Sequence, residues 1–306
     1  MGGAGPIRRY REPVRTEDLI ARTFTSVGVT AGLHVVDVDD GREVGVEPDG
    51  QVVIASVFKI LLVLEFARQV AAGQIDPTER LLVRAEDRLG GWGMAGCADD
   101  VEASLRDLAY FAMSISDNTA ADLLMRRIGP DTLQLLAGEL GLTRTRVTGG
   151  PRELLASVFA DVGARTEAEF AEVFPTLPEE RVRALRVLDP ERTTSSTPRD
   201  ITRLLRLIWR DEAGPRPACA MVRELMRHQL SWTRIPSGFP PAVHVAAKSG
   251  TLPGLHNEAG VAEYPDGRRY AIAIFARADR LDPRRIDVDL AMGEAAHAAV
   301  EALRAS

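Results

Sequence analysis

The stretch "IASVFKILLVLEFARQV", Ile54 to Val70, decides how this chain is read. Its apolar residues run almost unbroken at three- and four-residue spacing, which predicts a helix buried on most of its sides. Ser56 and Lys59 stand at its opening. A spacing of i, i+3 puts both side chains on one helical face, within reach of each other. At a helix N-terminus, free backbone N–H groups and the positive end of the dipole favour a developing anion. A lysine buried beside a serine has its pKa depressed and can accept the hydroxyl proton. The same two residues also fit an N-capping serine and a snorkelling lysine, and S-x-x-K alone does not separate these readings.

Outward from this helix the chain divides by periodicity. Before it, "LHVVDVDDGREVGVEP" alternates apolar and polar residues about a "DDGR" turn, the pattern of a β-hairpin. After it, from Val57 to about Arg210, the strong periodicities are helical: "SLRDLAYFAMSI", "TAADLLMRRIG", "DTLQLLAGELG" and "PRDITRLLRLIWR". Beyond Pro236 strands return in "AVHVAAKSG", "HNEAGVAEYP" and "RYAIAIFARA", the last two joined by a "PDGR" turn, and a final helix closes the chain. The expected fold is α/β of the α+β type. One antiparallel sheet is flanked by terminal helices, and an all-helical lobe packs beside it. Residues 1–16 read as a flexible arm and 17–306 as one domain. Its sheet lobe spans about 17–57 and 210–306, and its helical lobe about 58–209. A cleft between such lobes is a natural place for a site.

Composition narrows the function classes. The 306 residues carry 38 basic and 44 acidic side chains, a net charge of −6, so no basic footprint for nucleic acid or an anionic membrane dominates. Glu65 and Arg68 interrupt the longest apolar run before it reaches bilayer length. The opening "MGGAGPIRRYREPVRTEDLI" has arginines but no apolar run behind them. A cytoplasmic location is therefore expected, or a secreted one if an export signal has been trimmed. Cys97 and Cys219 are too few for a disulfide framework, and their pairing stays open. His228, His244 and His256 have no triad or metal spacing, so no metal and no cofactor is expected, and a monomer acting on a small molecule is.

Two further motifs carry chemistry. In "MSISDNTAADLLM", Ser116, Asp117 and Asn118 fall between two helices, where either of the last two could be a plain helix cap. In "AAKSGTLPG", Lys248, Ser249 and Gly250 lie on an apolar strand. The lysine could be an edge-strand charge, while Gly250 would let another backbone or a ligand approach closely. Taken in order, S-x-x-K, S-D-N and K-S-G on helix, inter-helix loop and strand resemble the class A β-lactamases and penicillin-binding proteins. Ser116 follows Ser56 by 60 residues, the class A spacing, and the flanks "SDNTAADLLM", "STPRDITRLL" and "RIPSGFPPAVHVAAKSG" are similar too. The resemblance runs from about Thr30 to the C-terminus.

The resemblance implies an active-serine hydrolase. Ser56 would be the nucleophile forming an acyl-enzyme, and Lys59 would deprotonate it or relay its proton. Ser116 would pass a proton to the leaving nitrogen under the field of Lys248, and Asn118 would bind the substrate's side-chain amide and Lys59. The N–H groups of Ser56 and Thr251 would form an oxyanion hole. Ser249 would bind a substrate carboxylate. Arg234, fourteen residues before Lys248, matches a carboxylate-binding arginine of some class A enzymes, although a surface arginine would look the same. Trp92 lies near the family's aromatic cleft wall, or is packed in the core.

One segment departs from the pattern. The family follows "TRL" with E-x-E-L-N, whose first glutamate activates the deacylating water. Here the stretch is "TRVTGGPRELLASV", with Pro151 at the glutamate's place and Leu155 at the asparagine's, while Glu153 matches the second glutamate. The active-site loop, about 146–197, is also much enlarged, with added helices in "TEAEFAEVF" and "PEERVRALRVL". Losing a catalytic base costs roughly two to four powers of ten in rate. Acylation is therefore expected to be intact and class A-style deacylation weak or rebuilt. Glu153 leads as the rebuilt base, with Asp161, Glu167, Glu169 and Lys59 itself behind it. The expected function is hydrolysis of β-lactam, amide or ester bonds. The alternatives are a biosynthetic acyltransferase and a penicillin-binding sensor that acylates without turnover.

Overall fold

The computed structural model describes residues 15–129, 131–282 and 284–305. Residues 1–14 of the expected arm lie outside that range, and Thr16 already belongs to a helix. In chain order, α1 (Thr16–Ser26) precedes the hairpin of β1 (Val29–Asp37) and β2 (Glu43–Val46). A short β3 (Val52–Val53) and a 3₁₀ turn (Ala55–Phe58) lead into α2 (Lys59–Ala71). Next come β4 (Arg80–Val83) and β5 (Val101–Ser104), then α3 (Leu105–Ser114), α4 (Asn118–Ile128) and α5 (Thr132–Glu139). The enlarged loop holds α6 (Pro151–Val162), α7 (Glu167–Val173) and α8 (Glu179–Arg183) and ends at β6 (Ser195–Ser196). The chain finishes with α9 (Pro198–Trp209), α10 (Arg216–Arg227), β7 (His244–Leu252), β8 (Leu255–Glu263), β9 (Arg269–Ala278) and α11 (Ile286–Ala305).

The first and last strands share one antiparallel sheet in the order β2-β1-β9-β8-β7, which leaves β7 at an edge. All three hairpin turns of the sheet place glycine at positive φ, Gly41 at 81°, Gly254 at 71° and Gly267 at 86°, where other residues are strained. Alternate residues of β9 face opposite layers. Tyr270, Ile272 and Ile274 join Leu33 and Val35 against Ile20 and Phe24 of α1 and Met292 and Val300 of α11. Ala271 and Ala273 face the other way, with Ala259 and Val261, toward Ile201 and Leu205 of α9 and the apolar residues of α2. Alanines on that face let α9 lie close on the sheet.

The alternation in "LHVVDVDD" marks a hairpin but not a wet face. His34 and Asp37 are buried as deeply as their apolar neighbours. His34 Nδ1 pairs with Thr202 Oγ1 at 2.6 Å, and Asp37 accepts from the N–H groups of Asp39 and Asp40. Polar positions can enter a core when each is partnered.

Helix ends follow their residues. Ser104 and Asp107 form a reciprocal capping box on α3. Thr197 caps α9 with Pro198 at its first position. In α2 eight residues from Lys59 to Ala67 are buried, as the unbroken apolar run predicts. α10 packs on α2 and α3 as well as on β7. No described helix is long and apolar enough to cross a membrane.

Three features depart from the sequence reading. β4 and β5 form a small hairpin inside the span read as helical, because four-residue strands carry too little period to register. α2 starts at Lys59, and Ser56 sits in the preceding 3₁₀ turn. The enlarged loop also gains a helix over "PRELLASVFADV", opened by Pro151. The loop is closed at its base by paired backbone hydrogen bonds between Arg146 and Ser195, 2.8 and 2.9 Å. It carries a small core of its own, Val158, Val182, Leu185 and Leu188 packed on Val53 and Leu255.

Candidate active site

Three elements converge on Ser56. The 3₁₀ turn brings the serine to the mouth of the helical lobe after Ala55, whose φ of 46° is a conformation that non-glycine residues seldom adopt. β7 lies directly against this turn because residue 250 is glycine. A Cβ there would stand 2.9 Å from Ile54 O and 3.1 Å from Ser56 N. The α3–α4 loop supplies Ser116, itself strained at φ 62°. Asp117 holds this loop. Its side chain caps α4 through Ala120 N and accepts from Met94 N, which ties down the "GGWGMAG" segment.

Between these elements lies a cavity of about 620 Å³, lined by Ser56, Ser116, Asn118, Ser249, Gly250 and Thr251, with Trp92 and Leu230 at its sides. Trp92 is 81% exposed, so it belongs to the wall and not to the core. No aspartate or glutamate lines this cavity among the described residues.

Lys59 is wholly buried. Its Nζ donates to Ser116 O at 2.7 Å, Asn118 Oδ1 at 2.9 Å, Ser116 Oγ at 3.2 Å and Asp117 O at 3.4 Å. Burial, with the nearby charge of Lys248, drives its pKa well below the ordinary lysine value. Ser56 is not among its partners, so the expected serine–lysine contact is replaced by one to Ser116. Asn118 holds Lys59 as expected, and its Nδ2 donates to Gly90 O at 3.0 Å.

Lys248 is also wholly buried, and its Nζ donates to Ser249 O at 2.8 Å, not to Ser116. Burial and Arg234 bring its pKa down to about 7, against the pull of Glu258. Arg234 is no surface residue. Its guanidinium donates to Gly250 O, Asn257 O and Thr251 Oγ1 at 2.7–2.9 Å and pairs with Asp289 at 2.9 Å. It lines the cavity beside β7, and most of its donors are taken by protein.

Glu153 does not line the serine cavity. It lines a separate cavity behind the serine turn, beside Ala55 and Phe58, and its Oε2 accepts from Gly150 N at 2.8 Å as the N-terminal lock of α6. Asp161 is paired with Arg186, and Glu169 accepts from Arg165 N and the Arg165 side chain. Glu167 Oε1 is 3.7 Å from where a Cβ on Gly90 would stand, one residue before Gly91 of the cavity wall. Of the histidines, His228 stacks on Tyr110, His256 pairs with Asp289, and His244 lines a neighbouring hollow. Cys97 and Cys219 are both free, and no metal-holding group of His, Cys, Asp or Glu occurs among the described residues.

Two residues of the site were not foreseen. Gln229 accepts through Oε1 from Ser249 N and donates to the buried Glu258. A glutamate inside the apolar run "HNEAGVAE" was a visible signal for Glu258, whereas nothing in the sequence marked Gln229.

The sequence profile of the β-lactamase enzyme family matches residues 15–303. The chain belongs to that family. It is 30% identical over 264 residues to the β-lactamase regulatory protein BlaB of Streptomyces cacaoi, covering 81% of this chain and 84% of BlaB. It is 25% identical over 302 residues to a β-lactamase of Amycolatopsis lactamdurans, covering 98% of this chain and 88% of that one. The fold matches a class A β-lactamase from Mycobacterium abscessus with a TM-score of 0.75 at 19% identity, over 95% of this chain and all of that one. Family and fold make this protein a β-lactamase-like active-serine hydrolase.

Proposed function

We propose that Ser56 is acylated by a small β-lactam, ester or amide substrate, and that the acyl-enzyme turns over slowly. The observation that supports this reading is the pairing of a buried Lys59, its pKa driven well below the ordinary lysine value, with Ser116, beside a serine-lined cavity that has no carboxylate in its wall among the described residues. In acylation the Ser56 Oγ–H proton passes to the Lys59 amine as Oγ bonds the substrate carbonyl carbon. The C–N or C–O bond then breaks, and the leaving atom takes the Ser116 hydroxyl proton, which Lys59 restores across 3.2 Å. The N–H groups of Ser56 and Thr251 stabilise the oxyanion. Ser249 takes a substrate carboxylate, and Asn118 its amide.

The second reading is a sensor that stays acylated. The carboxylate-free cavity favours it, as does similarity to a β-lactamase regulatory protein. One experiment separates the two. The protein is incubated with a fluorescent penicillin and a chromogenic cephalosporin, and its intact mass is followed. A transient adduct with product release supports the hydrolase, and a lasting one the sensor. Faster release with added amines would instead indicate an acyltransferase. No adduct on Ser56, and a Ser56→Ala variant as active on simple esters as the wild type, would sink the assignment.

A further inference from the structure

Glu258 sits in the middle of β8 with no exposure, and its two oxygens take donors from opposite ends of one loop. One accepts from Gln229 Nε2 at 2.8 Å and the other from the backbone N–H of Ile235 at 2.6 Å. Between these two grips the loop contributes Leu230, Ser231 and Arg234 to the wall of the serine cavity. Gln229 Oε1 in turn accepts from Ser249 N. Carboxylate, amide and cleft strand thus form one continuous chain of hydrogen bonds. We propose that Glu258 is a positioning residue. Its carboxylate holds residues 229–235 against β7 and so sets the cleft at Ser249, and protonating that carboxylate releases the loop. The inference rests on the cleft being the substrate site.

The charges around Glu258 come from every layer packed on it. Arg234 on the loop favours the carboxylate, and Asp289 on α11 opposes it. His256, on β8 itself, contacts Asp289 at 2.8 Å. Lys248 on β7 is the other buried charge in range, while β9 places Ile274 in register with Glu258. Burial outweighs these charges and pushes the Glu258 carboxyl up to about 7. An ionised carboxylate accepts at both oxygens. A neutral acid turns one oxygen into a donor, which then faces an N–H. The protonated group therefore holds one end of the loop well and the other only weakly, because a hydroxyl oxygen is a poorer acceptor than a carboxylate oxygen.

The test uses Glu258→Gln, which keeps the volume and removes the titration. Trp232 lies on the loop and is 68% exposed, so its fluorescence reports the loop without any need for activity. Wild-type protein should show a fluorescence transition on crossing neutrality that Trp232→Phe removes and E258Q lacks. E258Q should also acylate with fluorescent penicillin about tenfold less efficiently, as expected for one lost hydrogen bond to a charged group. That loss should fall in apparent binding and not in the maximal acylation rate. Wild-type fluorescence and acylation profiles in E258Q would overturn the proposal. If E258Q does not fold, Gln229→Leu cuts the chain of hydrogen bonds and leaves the grip on Ile235. The same tenfold loss in acylation efficiency is then expected, and an unchanged efficiency overturns the proposal. If no probe acylates wild-type Ser56, the functional reading fails and the fluorescence titration still decides this one.

Discussion

Lys59 Nζ stands 3.2 Å from Ser116 Oγ and makes no hydrogen bond to Ser56, three residues before it in the chain. Its two shortest contacts, to Ser116 O and Asn118 Oδ1, are acceptors only. The longer contact to Asp117 O is to an acceptor as well, and Ser116 Oγ is the one hydroxyl within hydrogen-bond reach of the amine among the described residues. Ser116 is thus the hydroxyl poised to exchange a proton with Lys59, between nucleophile and leaving group. Ser116→Ala should slow acylation by on the order of 10²- to 10⁴-fold while leaving the Ser56 adduct detectable at long times. Time-resolved intact mass with fluorescent penicillin measures this. An unchanged rate would remove Ser116 from the proton path.

The Glu153 carboxylate locks the first turn of α6 and lines a cavity separate from that of Ser56. Glu153→Gln should therefore leave the rate of adduct loss within about twofold. It should lower stability by about 0.5–1 kcal/mol through the weakened cap. Adduct lifetime by mass and the urea midpoint report the two effects separately. A tenfold longer adduct lifetime would return Glu153 to the role of base.

Gly250 allows β7 to touch the serine turn. In Gly250→Ala the new methyl would stand 2.9 Å from Ile54 O, which is backbone and can give way only by moving the strand. A displacement of even a fraction of an ångström between Ser56 and Thr251 spoils the oxyanion geometry. Acylation should fall by on the order of 10²-fold. Circular dichroism should stay that of the wild type, which separates this outcome from misfolding.

Two buried groups, Glu258 and Lys248, should make opposite contributions to stability on either side of about pH 7. Burial raises Glu258 from an ordinary 4.5 to about 7. Between those values the folded chain keeps a proton that the unfolded chain has lost, so stability falls as pH rises. Burial lowers Lys248 from 10.5 to about 7. Above 7 the unfolded chain keeps a proton that the folded chain lacks, so stability then climbs with pH. E258Q should abolish the acid-side fall and keep the alkaline rise. Urea midpoints measured against pH check both limbs, and a wild-type minus E258Q difference that is flat below neutrality would contradict the buried carboxyl.

The hairpin turns at Gly41 and Gly267, the strands of the final third and most long helices were legible in the sequence, because local periodicity and glycine at positive φ act within a few residues. The pairing of the first and last strands was inferred from economy, and β1 does lie beside β9. The hairpin of β4 and β5 was not legible, since four-residue strands are too short to show a period, and α6 hid behind a proline that opens helices as readily as it ends them.

At the site, sequence alone named Ser56, Lys59, Ser116, Asn118 and the Lys248–Thr251 strand, since each motif sits in a contiguous stretch whose spacing survives folding. The resemblance also implied that Pro151 stands where the family keeps its glutamate. Only the tertiary structure decided that Lys59 bonds Ser116 and not Ser56, that Glu153 caps a helix, and that Arg234 is buried against β7 in the cavity wall with most of its donors on protein. It alone revealed the link from Glu258 through Gln229 to Ser249. Those outcomes depend on which buried donors and acceptors meet across elements, from Lys59 to Ser116 and from Gln229 to Glu258. A buried polar group must find a partner wherever the packing provides one, and no local spacing encodes that choice.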